Sequence, residues 1–375
     1  MAIDLTLTGI TGYQLAPYKA LATLPFAMIT VAGAIATWFA ALVIRRVGRR
    51  RAFVIGAAVC TGGGCLSVWS VVHSDFWSFC LGTAAVGVFQ AFAQYYRLAA
   101  ADSVATGAKA RAISTVLAGG VIAAVLGPLL AAWSRNWLSI AFAGSYLAVA
   151  ILGAVSAVLF LTSYRDRPES IPAQTGEDAG TLPLGRILLT PISLAALANN
   201  VIGGVVMMFI MTAAPLATMG AHYSVDDGAS VIQWHLVGMY GPSLFAGRLI
   251  DRFGLPIVLF AGIAMSALCP AIAAGSHSLF AFHAALLCLG VGWNFMFVGG
   301  TALLALSYRP AERTKVQGAA EFARYATTAL ATLAAGPVLQ RWGWTTLNVS
   351  MIPVLGVAAV LTLAWSRPGA SSQVI

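Results

Sequence analysis

The chain has 375 residues, of which 59% are hydrophobic and only 9% are Asp, Glu, Lys or Arg. Soluble domains carry about 25% charged and roughly 45–50% apolar residues, so a soluble enzyme, a nucleic-acid-binding protein and a disordered chain are disfavoured. The formal net charge of +9 does not indicate nucleic acid, because the basic residues stand in short gaps between apolar runs. The composition predicts an all-α membrane protein with several spanning helices.

Apolar runs long enough to cross a bilayer recur along the chain. A hydrocarbon core of about 30 Å needs about 20 apolar residues per helix. By this criterion we predict eleven full spans. They are preceded by the apolar segment 1–14, which is long enough to cross only about half of the bilayer core. This segment is interpreted as a truncated first helix of a twelve-helix design. The eleven spans fall at 20–44, 52–73, 76–100, 112–133, 138–162, 188–214, 228–250, 255–275, 279–305, 314–339 and 345–366.

The distribution of basic residues predicts the orientation. If the first full span runs from outside to inside, sixteen Lys and Arg residues lie in inner loops and three in outer loops. Such a bias follows the positive-inside rule and predicts a multi-pass inner-membrane protein with a cytoplasmic C-terminus. The three outer residues are Lys19, Arg135 and Arg341, and the inner ones are Arg45, Arg46, Arg49, Arg50, Arg51, Lys109, Arg111, Arg165, Arg167, Arg186, Arg248, Arg252, Arg309, Arg313, Lys315 and Arg367.

The chain divides into two similar halves. Residues 163–187 combine acids, prolines and small polar residues, which indicates a cytoplasmic linker. It separates a predicted N-terminal bundle, 1–162, from a C-terminal bundle, 188–366, with a cytoplasmic tail at 367–375. Pairs of motifs recur at offsets of 203 to 209 residues, which predicts a duplicated six-helix unit. The pairs are Gly48 with Gly254, Gly87 with Gly290, and Gly127-Pro128 with Gly336-Pro337.

These motifs resemble the major facilitator superfamily. The loop 247–254, Gly-Arg-Leu-Ile-Asp-Arg-Phe-Gly, carries most of the resemblance, together with its basic counterpart after residue 44 and the two Gly-Pro pairs. The first-half loop departs from the family, since Ala41 and Arg45 stand where the family has Gly and Asp. The resemblance implies a fold of two six-helix bundles around a central cavity, and transport of a small solute by alternating access.

Loop and helix motifs are the candidate gating elements. Polar side chains of these loops can contact the end of a neighbouring helix and so hold one bundle against the other in one access state. These contacts must break when the carrier changes to the other access state. A solvated tight turn is the alternative for the first-half loop, and a packing kink is the alternative for each Gly-Pro pair. The candidates are Gly48, Arg49, Gly247, Asp251, Arg252, Gly254, Gly127, Pro128, Gly336 and Pro337.

A second stretch, 292–313, is similar to a bacterial permease subgroup close to riboflavin carriers. The residues that carry this similarity are Gly292-Trp293-Asn294-Phe295, Val298-Gly299-Gly300-Thr301 and Tyr308-Arg309-Pro310-Ala311-Glu312-Arg313. This similarity implies that the solute is a small molecule, with a vitamin such as riboflavin among the candidates.

Polar residues inside the spans are the candidate substrate-binding groups. Amides beside indole rings suit a planar or polyhydroxy solute, through stacking and hydrogen bonds. Amide contacts between helices are the alternative for the asparagines, and snorkelling to the interface is the alternative for Arg97. The candidates are Gln90, Gln94, Arg97, Asn199, Gln233, Trp293 and Asn294.

Four ionisable residues are the candidates for proton or charge coupling, since ionisable groups within membrane helices are costly. Glu321 and Arg324 have i, i+3 spacing and can pair on one helix face. Asp102 and His235 complete the set. A structural ion pair and a hydrogen-bonded structural histidine are the alternatives.

The sequence therefore predicts a secondary active transporter that is driven by a proton gradient or by the solute gradient, and not an enzyme. The five cysteines lie in apolar runs without metal-ligand spacing, so neither a metal nor a cofactor is expected. The expected partners are a small solute and the lipid bilayer, without nucleic acid, for a monomeric protein. The alternative is a non-transporting membrane sensor or assembly factor on the same scaffold.

Overall fold

The structure is a computed structural model in which every regular element of the described residues is a helix. Because a bilayer core offers no water to backbone amides and carbonyls, helices satisfy these groups within each span. The all-α prediction is confirmed. The structure describes residues 2–96, 99–100, 109–165, 182–309 and 312–367.

The helices follow the apolar runs closely. They are α1 (Ala2–Leu15), α2 (Leu24–Val47), α3 (Arg49–His73), α4 (Phe76–Ala93), α5 (Lys109–Ser134), α6 (Ala143–Ser163), α7 (Leu184–Leu188), α8 (Pro191–Gly220), α9 (Val225–Tyr240), α10 (Ala246–Phe253), α11 (Leu255–Gly275), α12 (Leu279–Ala305), α13 (Arg313–Val349) and α14 (Ile352–Ser366). Two 3₁₀ turns, Lys19–Leu21 and Gly241–Leu244, join α1 to α2 and α9 to α10.

Eight helical stretches of the described chain are long and apolar enough to cross a membrane. One of them, Lys315–Ser366, covers two predicted spans. The predicted spans outside this set are 112–133, where a shorter apolar helix occupies Val125–Ser134, and 228–250. The predicted number of eleven full spans therefore stays a prediction.

The predicted span at 228–250 is interrupted in its middle. Helix α9 ends at Tyr240, and the turn Gly241–Leu244 precedes α10. Pro242 lies in this turn and has no N–H to donate to the preceding helical turn, which explains the break. A second change of direction occurs in α13 at Gly343, whose φ of 75° and ψ of 177° are not helical. Periodicity alone indicated neither break.

The described chain forms two compact units. Unit 1 comprises residues 1–168, 212–233 and 332–341. Unit 2 comprises residues 169–211, 234–331 and 342–375. The C-terminal part of α8, the N-terminal part of α9 and a section of α13 therefore belong to the same unit as the first six helices.

Each unit contains a close helix contact at a predicted repeat position. In unit 1, a Cβ atom added to Gly87 on α4 would lie 2.1 Å from the carbonyl oxygen of Ile29 on α2. In unit 2, a Cβ atom added to Gly290 on α12 would lie 2.4 Å from the carbonyl oxygen of His235 on α9. Backbones can approach this closely only where a side chain is absent.

The loops after α2 and α10 share one backbone conformation. Gly48 has φ 84° and ψ 163°, and Gly254 has φ 85° and ψ 158°. Positive φ values favour glycine because it lacks a Cβ atom. Together with the two helix contacts, this agreement supports the interpretation of the chain as a duplicated unit.

We predict that Gly87→Ala and Gly290→Ala each destabilise the protein, because the new methyl group meets a backbone carbonyl that cannot move alone. Overpacking of this kind costs about 1–3 kcal/mol or more. The apparent melting temperature of the purified protein in detergent measures the effect. The control is Gly62→Ala on α3, where an added Cβ meets nothing within 4 Å. Equal melting temperatures for the control and the two variants would contradict the close packing.

Candidate functional site

Unit 2 contains a mostly buried cation held by a carboxylate on the same helix. The guanidinium of Arg324 on α13 donates to Oε2 of Glu321 from Nη2 at 2.6 Å and from Nε at 3.2 Å. The Arg324 side chain is 18% exposed, whereas that of Glu321 is 46% exposed. The i, i+3 spacing thus produces an ion pair in which the guanidinium is mostly buried and the carboxylate is about half exposed.

Aromatic rings surround this cation. The Cζ atom of Arg324 lies 4.4 Å from the ring centroid of Tyr325 and 5.6 Å from that of Phe297 on α12. Phe297 stacks on Trp293, with centroids 4.9 Å apart and ring planes at 9°. Guanidinium groups bind favourably over aromatic faces. The rings therefore help to hold the cation inside an apolar unit, and they present flat surfaces beside it.

The indole N–H of Trp293 adds a hydrogen-bond donor to this cluster. Its nitrogen is buried and has no hydrogen-bond partner among the described residues. Such a donor is costly unless something accepts from it. The cluster thus combines a guanidinium, a carboxylate, stacked rings and an unused donor, which suits a planar ligand with polar edges.

Two glycines on α8 allow the helices of this cluster to approach each other. A Cβ atom on Gly204 would lie 3.0 Å from Cγ2 of Thr328 and 3.5 Å from Cγ of Arg324. A Cβ atom on Gly203 would lie 3.3 Å from Cβ of Met296. The sequence interpretation did not include these glycines, although the Gly-Gly pair in an apolar run was a usable signal.

The two predicted asparagines lie in contacts between helices of unit 2. Asn199 is fully buried, and its Nδ2 donates to the carbonyl of Ala195 at 2.9 Å and to Oγ1 of Thr362 at 2.8 Å. Nδ2 of Asn294 donates to the carbonyl of Met239. The Oδ1 atoms of both asparagines are buried without a partner in the described structure, so each amide keeps one acceptor unused.

Asn294 stabilises the break between α9 and α10. Its Nδ2 lies 2.6 Å from both the carbonyl oxygen of Met239 and Oγ of Ser243. These acceptors stand on either side of Pro242, which cannot donate to the helix behind it. The amide of α12 thus donates to one acceptor in the last turn of α9 and to one acceptor in the turn that follows it.

His235 is also buried in unit 2. Its Nδ1 atom lies 2.8 Å from the carbonyl oxygen of Leu286, and its Nε2 atom has no partner among the described residues. Its own backbone carbonyl receives the close contact of Gly290. These contacts tie α9 to α12 beside Gly290, which is one of the predicted repeat positions.

The predicted glutamines lie in unit 1, apart from the cluster around Arg324. Gln90 is half-buried on α4, and Gln94 is exposed at the end of that helix. Nε2 of Gln233 lies 3.5 Å from the carbonyl oxygen of Val125. Of the predicted binding and coupling residues, the structure brings Trp293, Glu321 and Arg324 into one cluster. Arg97 and Asp102 lie outside the described residues, and the predicted roles remain predictions.

The predicted gating residues occupy loops and helix interiors. Asp251 and Arg252 are exposed, and the Arg252 guanidinium lies 5.3 Å from the ring centroid of Phe253. Arg49 begins α3 directly after Gly48, and nothing lies within 4 Å of a Cβ atom added to Gly247. Pro128, next to Gly127, and Pro337, next to Gly336, lie inside α5 and α13.

The loop after α12 is held by a buried carboxylate. Glu312 accepts hydrogen bonds from the backbone N–H of Arg309 at 3.0 Å and of Leu182 at 2.9 Å. These donors, Arg309 first, hold the pKa of Glu312 below its usual range. Glu312 therefore joins the end of the predicted linker to the start of α13.

Unit 1 has its own polar contacts at the predicted outer ends of its helices. Nη1 of Arg135, after α5, lies 2.8 Å from Oδ1 of Asp226 in the first turn of α9. A Cβ atom on Gly336 of α13 would lie 2.5 Å from Oγ1 of Thr23 and 3.1 Å from the carbonyl oxygen of Ala20. Helices of the predicted C-terminal bundle are thereby joined to the first helices.

A cavity of about 380 Å³ lies beside these contacts in unit 1. Lys19 borders it, and its Nζ donates to the carbonyl of Tyr13 at 2.7 Å and lies 4.1 Å from the Tyr13 ring centroid. None of the predicted substrate-binding residues lines this cavity. Its lining residues are Tyr13, Lys19, Leu216, Met219, Gly220, Gly336, Leu339 and Gln340.

The all-helical architecture agrees with comparison to known proteins. The family model of the Major Facilitator Superfamily matches residues 2–242 and 235–374. The chain belongs to the major facilitator superfamily. It is a multi-pass membrane transporter of a small solute, and the family supports the prediction that it is not an enzyme.

Individual relatives cover nearly the whole chain. The riboflavin transporter RfnT of Brucella anthropi is 39% identical over 99% of this chain and 93% of its own length. YdeG and YddS, uncharacterized transporters of the same superfamily from Bacillus subtilis, are 28% and 26% identical over 98% and 97% of this chain, covering 88% and 87% of their own lengths. The predicted similarity to riboflavin carriers is confirmed.

We predict that Asn294→Leu opens the break between α9 and α10, because the carbonyl of Met239 and the hydroxyl of Ser243 lose the donor that α12 supplies. Losing a buried hydrogen bond costs about 0.5–1.5 kcal/mol. Hydrogen–deuterium exchange should become faster in 239–245, and the melting temperature should fall. Asn200→Leu is the control, since the contact of Asn200 with Thr301 is long, at 3.4 Å. Unchanged exchange in Asn294→Leu would show that Asn294 does not hold the break.

Proposed function

We propose that this transporter is a secondary carrier that moves a flavin, with riboflavin as the candidate solute, across the bacterial inner membrane. The relative that is 39% identical is a riboflavin transporter, and this supports the class of solute. The partition of sixteen inner and three outer basic residues supports a cytoplasmic C-terminus. We further propose that the chain acts as a monomer built from the bundles 1–162 and 188–366.

The observation that carries the proposal is the cation enclosed by rings in unit 2. A flavin has a planar ring system with carbonyl oxygens and nitrogens on one edge. Stacked rings such as Trp293 and Phe297 bind planar solutes, and the Arg324 guanidinium can donate to ring carbonyls. The unused indole N–H of Trp293 supplies a further donor. Glu321 then holds Arg324 in place when no solute is bound.

A proton gradient is the proposed driving force. The residues predicted from the sequence for charge handling were Glu321, Arg324, Asp102 and His235. Glu321 neutralises Arg324 in the described conformation. We propose that the bound solute displaces the Glu321 carboxylate from Arg324 and that a carbonyl group of the solute takes its place. The buried imidazole of His235, with its unused Nε2 atom, remains a candidate for proton binding.

We predict that Arg324→Lys raises the KM for riboflavin uptake, because an ammonium cannot stack on the rings while donating from two nitrogens. Losing a hydrogen bond to a charged group predicts an effect of about tenfold or more. Uptake of labelled riboflavin into riboflavin-auxotrophic cells that express each variant measures it. Arg186→Lys is the matched control, since Arg186 is exposed at the predicted inner side. Absence of saturable uptake by the unsubstituted chain would refute the proposed solute, and an unchanged KM in Arg324→Lys would refute the site.

Alternating access is the proposed mechanism, and the contacts at the outer ends of unit 1 support it. The Arg135–Asp226 ion pair and the contact of Gly336 with Thr23 join helices of the two predicted bundles. A carrier that opens to the outside must break such contacts. We propose that the loop motif with Asp251 and Arg252 has the corresponding role at the inner side.

We predict that Arg135→Asp and Asp226→Arg each speed outward opening, and that the double exchange restores the original rate. Each single change places like charges together, and exposed pairs contribute roughly 0.2–1 kcal/mol, so a change of about two- to fivefold is expected. The readout is the rate at which a membrane-impermeant maleimide labels Gly220→Cys, in a background with Cys65→Ser. Gly220 borders the cavity and has room for a side chain. Additive effects in the double variant would contradict a direct pair.

A further inference from the structure

The cavity in unit 1 differs in chemistry from the cluster around Arg324. Its lining residues supply one ammonium group, one amide, one phenol ring and several apolar side chains, and none of these residues is acidic. Its volume of about 380 Å³ lies within the range of about 300–1,000 Å³ in which proteins hold small organic ligands. A cavity of this size with a single positive charge favours an organic anion.

Lys19 supplies the positive charge of the cavity, and Tyr13 fixes its position. The Nζ atom of Lys19 donates to the carbonyl oxygen of Tyr13 at 2.7 Å and lies 4.1 Å from the centroid of the Tyr13 ring. An ammonium group has three N–H donors, and this hydrogen bond uses one of them. Lys19 therefore keeps donors for an anionic group, such as a phosphate or a carboxylate, without leaving the Tyr13 ring.

The remaining lining residues suit the apolar part of a ligand. Leu216, Met219 and Leu339 are half-buried at the cavity. The flexible thioether of a methionine adapts its shape to a bound ring. The exposed amide of Gln340 adds a group that can donate or accept a hydrogen bond. The ligand that fits this lining has a flat apolar ring and one anionic group.

The cavity lies between chain segments that the proposed mechanism moves apart. Its walls come from the end of α1, the 3₁₀ turn Lys19–Leu21, the end of α8 and residues 336–340 of α13. A Cβ atom added to Gly336 would lie 2.5 Å from Oγ1 of Thr23, the residue before α2. In the proposed mechanism, outward opening breaks this contact and moves the α13 wall away from the others. The cavity therefore keeps its described form only while the carrier is closed to the outside.

We propose that this cavity is an outer regulatory site, in which an organic anion with a flat ring binds and holds the carrier closed to the outside. A ligand shifts a conformational equilibrium only by the difference in its affinity for the two states. An anion that contacts both Lys19 and α13 has all of its contacts only in the described conformation. The bound anion therefore slows outward opening and inhibits uptake from the outer side. Binding of the anion stands on the cavity alone, whereas inhibition of riboflavin uptake rests on the proposed function.

The two sites suit different forms of a planar ligand. Lys19 lies in unit 1 and Arg324 lies in unit 2. The Arg324 cation is already neutralised by Glu321, so an uncharged planar solute suits that cluster. The lining of the cavity contains no acidic residue that would neutralise Lys19, and a charged ligand suits it better. A phosphate group on the same ring system should therefore direct a flavin to the cavity.

Flavin mononucleotide and riboflavin are a matched pair of probes, because they share one ring system and differ by a phosphate group. The readout is the rate at which a membrane-impermeant maleimide labels Gly220→Cys in the full chain with Cys65→Ser, since Gly220 lines the cavity. We expect flavin mononucleotide to slow this labelling. Lys19→Gln should raise the concentration for half-protection about two- to fivefold, because solvent screens the charge of an exposed lysine. Any effect of riboflavin on the labelling should be the same with and without Lys19→Gln.

Two control variants separate the charge of Lys19 from its position. Lys19→Arg keeps the charge and should retain the protection. Arg186→Gln removes the same charge from an exposed residue at the predicted inner side and should leave the protection unchanged. The anion site would be overturned if flavin mononucleotide gave no protection, or if Lys19→Gln and Arg186→Gln had equal effects.

Uptake of labelled riboflavin tests the regulatory role. External flavin mononucleotide should inhibit uptake by the unsubstituted chain, and Lys19→Gln should weaken this inhibition while the KM for riboflavin stays unchanged. Protection of Gly220→Cys without inhibition of uptake would overturn the regulatory role. If the unsubstituted chain takes up no riboflavin, the proposed solute fails separately, and the melting temperature decides for the cavity. Flavin mononucleotide should then raise the melting temperature of the unsubstituted chain more than that of Lys19→Gln, and an equal rise in both would overturn the proposal.

Discussion

The hydrocarbon core of a bilayer contains no water that could satisfy an unpaired polar group, and this constraint shapes the described structure. Backbone groups are paired inside helices, and where a helix is interrupted another polar group must replace the missing donor. At the break around Pro242, Asn294 on α12 donates to the carbonyl of Met239 and to the hydroxyl of Ser243, so a side chain from another helix pairs with polar groups beside the interruption. Asn294, which the sequence predicts as a solute-binding residue, thus also contacts both sides of the interrupted helix.

Close packing follows from the same constraint. Between apolar helices there is little hydrophobic gain in a membrane, so contact depends on small residues that let backbones approach. Gly87 against Ile29 in unit 1, and Gly290 against His235 in unit 2, are equivalent solutions at repeat positions. The matching conformations of Gly48 and Gly254 extend this equivalence to the loops. These paired features stand at the offsets that the sequence predicts for a duplicated six-helix unit, which stays a prediction.

The charged groups inside the helices have different surroundings, and these surroundings suggest different roles. In unit 2, Arg324 is neutralised by Glu321 and enclosed by rings, which suits a site that exchanges one polar partner for another. In unit 1, Asp4 is buried in an apolar cluster that includes Ile3, Leu7 and Ile10. Packing thus gives these two ionisable side chains different neighbours.

The sequence by itself determined the class of protein, because hydropathy and length are properties of each segment alone. It also located the helices, the repeat motifs and the i, i+3 pair of Glu321 and Arg324, since all of these depend on local spacing. Tertiary structure alone decided that Phe297 and Trp293 stand beside Arg324, that Gly204 lets α8 approach α13, and that Asp4 is buried. These features depend on contacts between helices that are distant in sequence, and helical periodicity does not specify which faces meet. An aspartate in a short apolar segment is consistent with either an exposed end or a buried site, and only packing distinguishes the two.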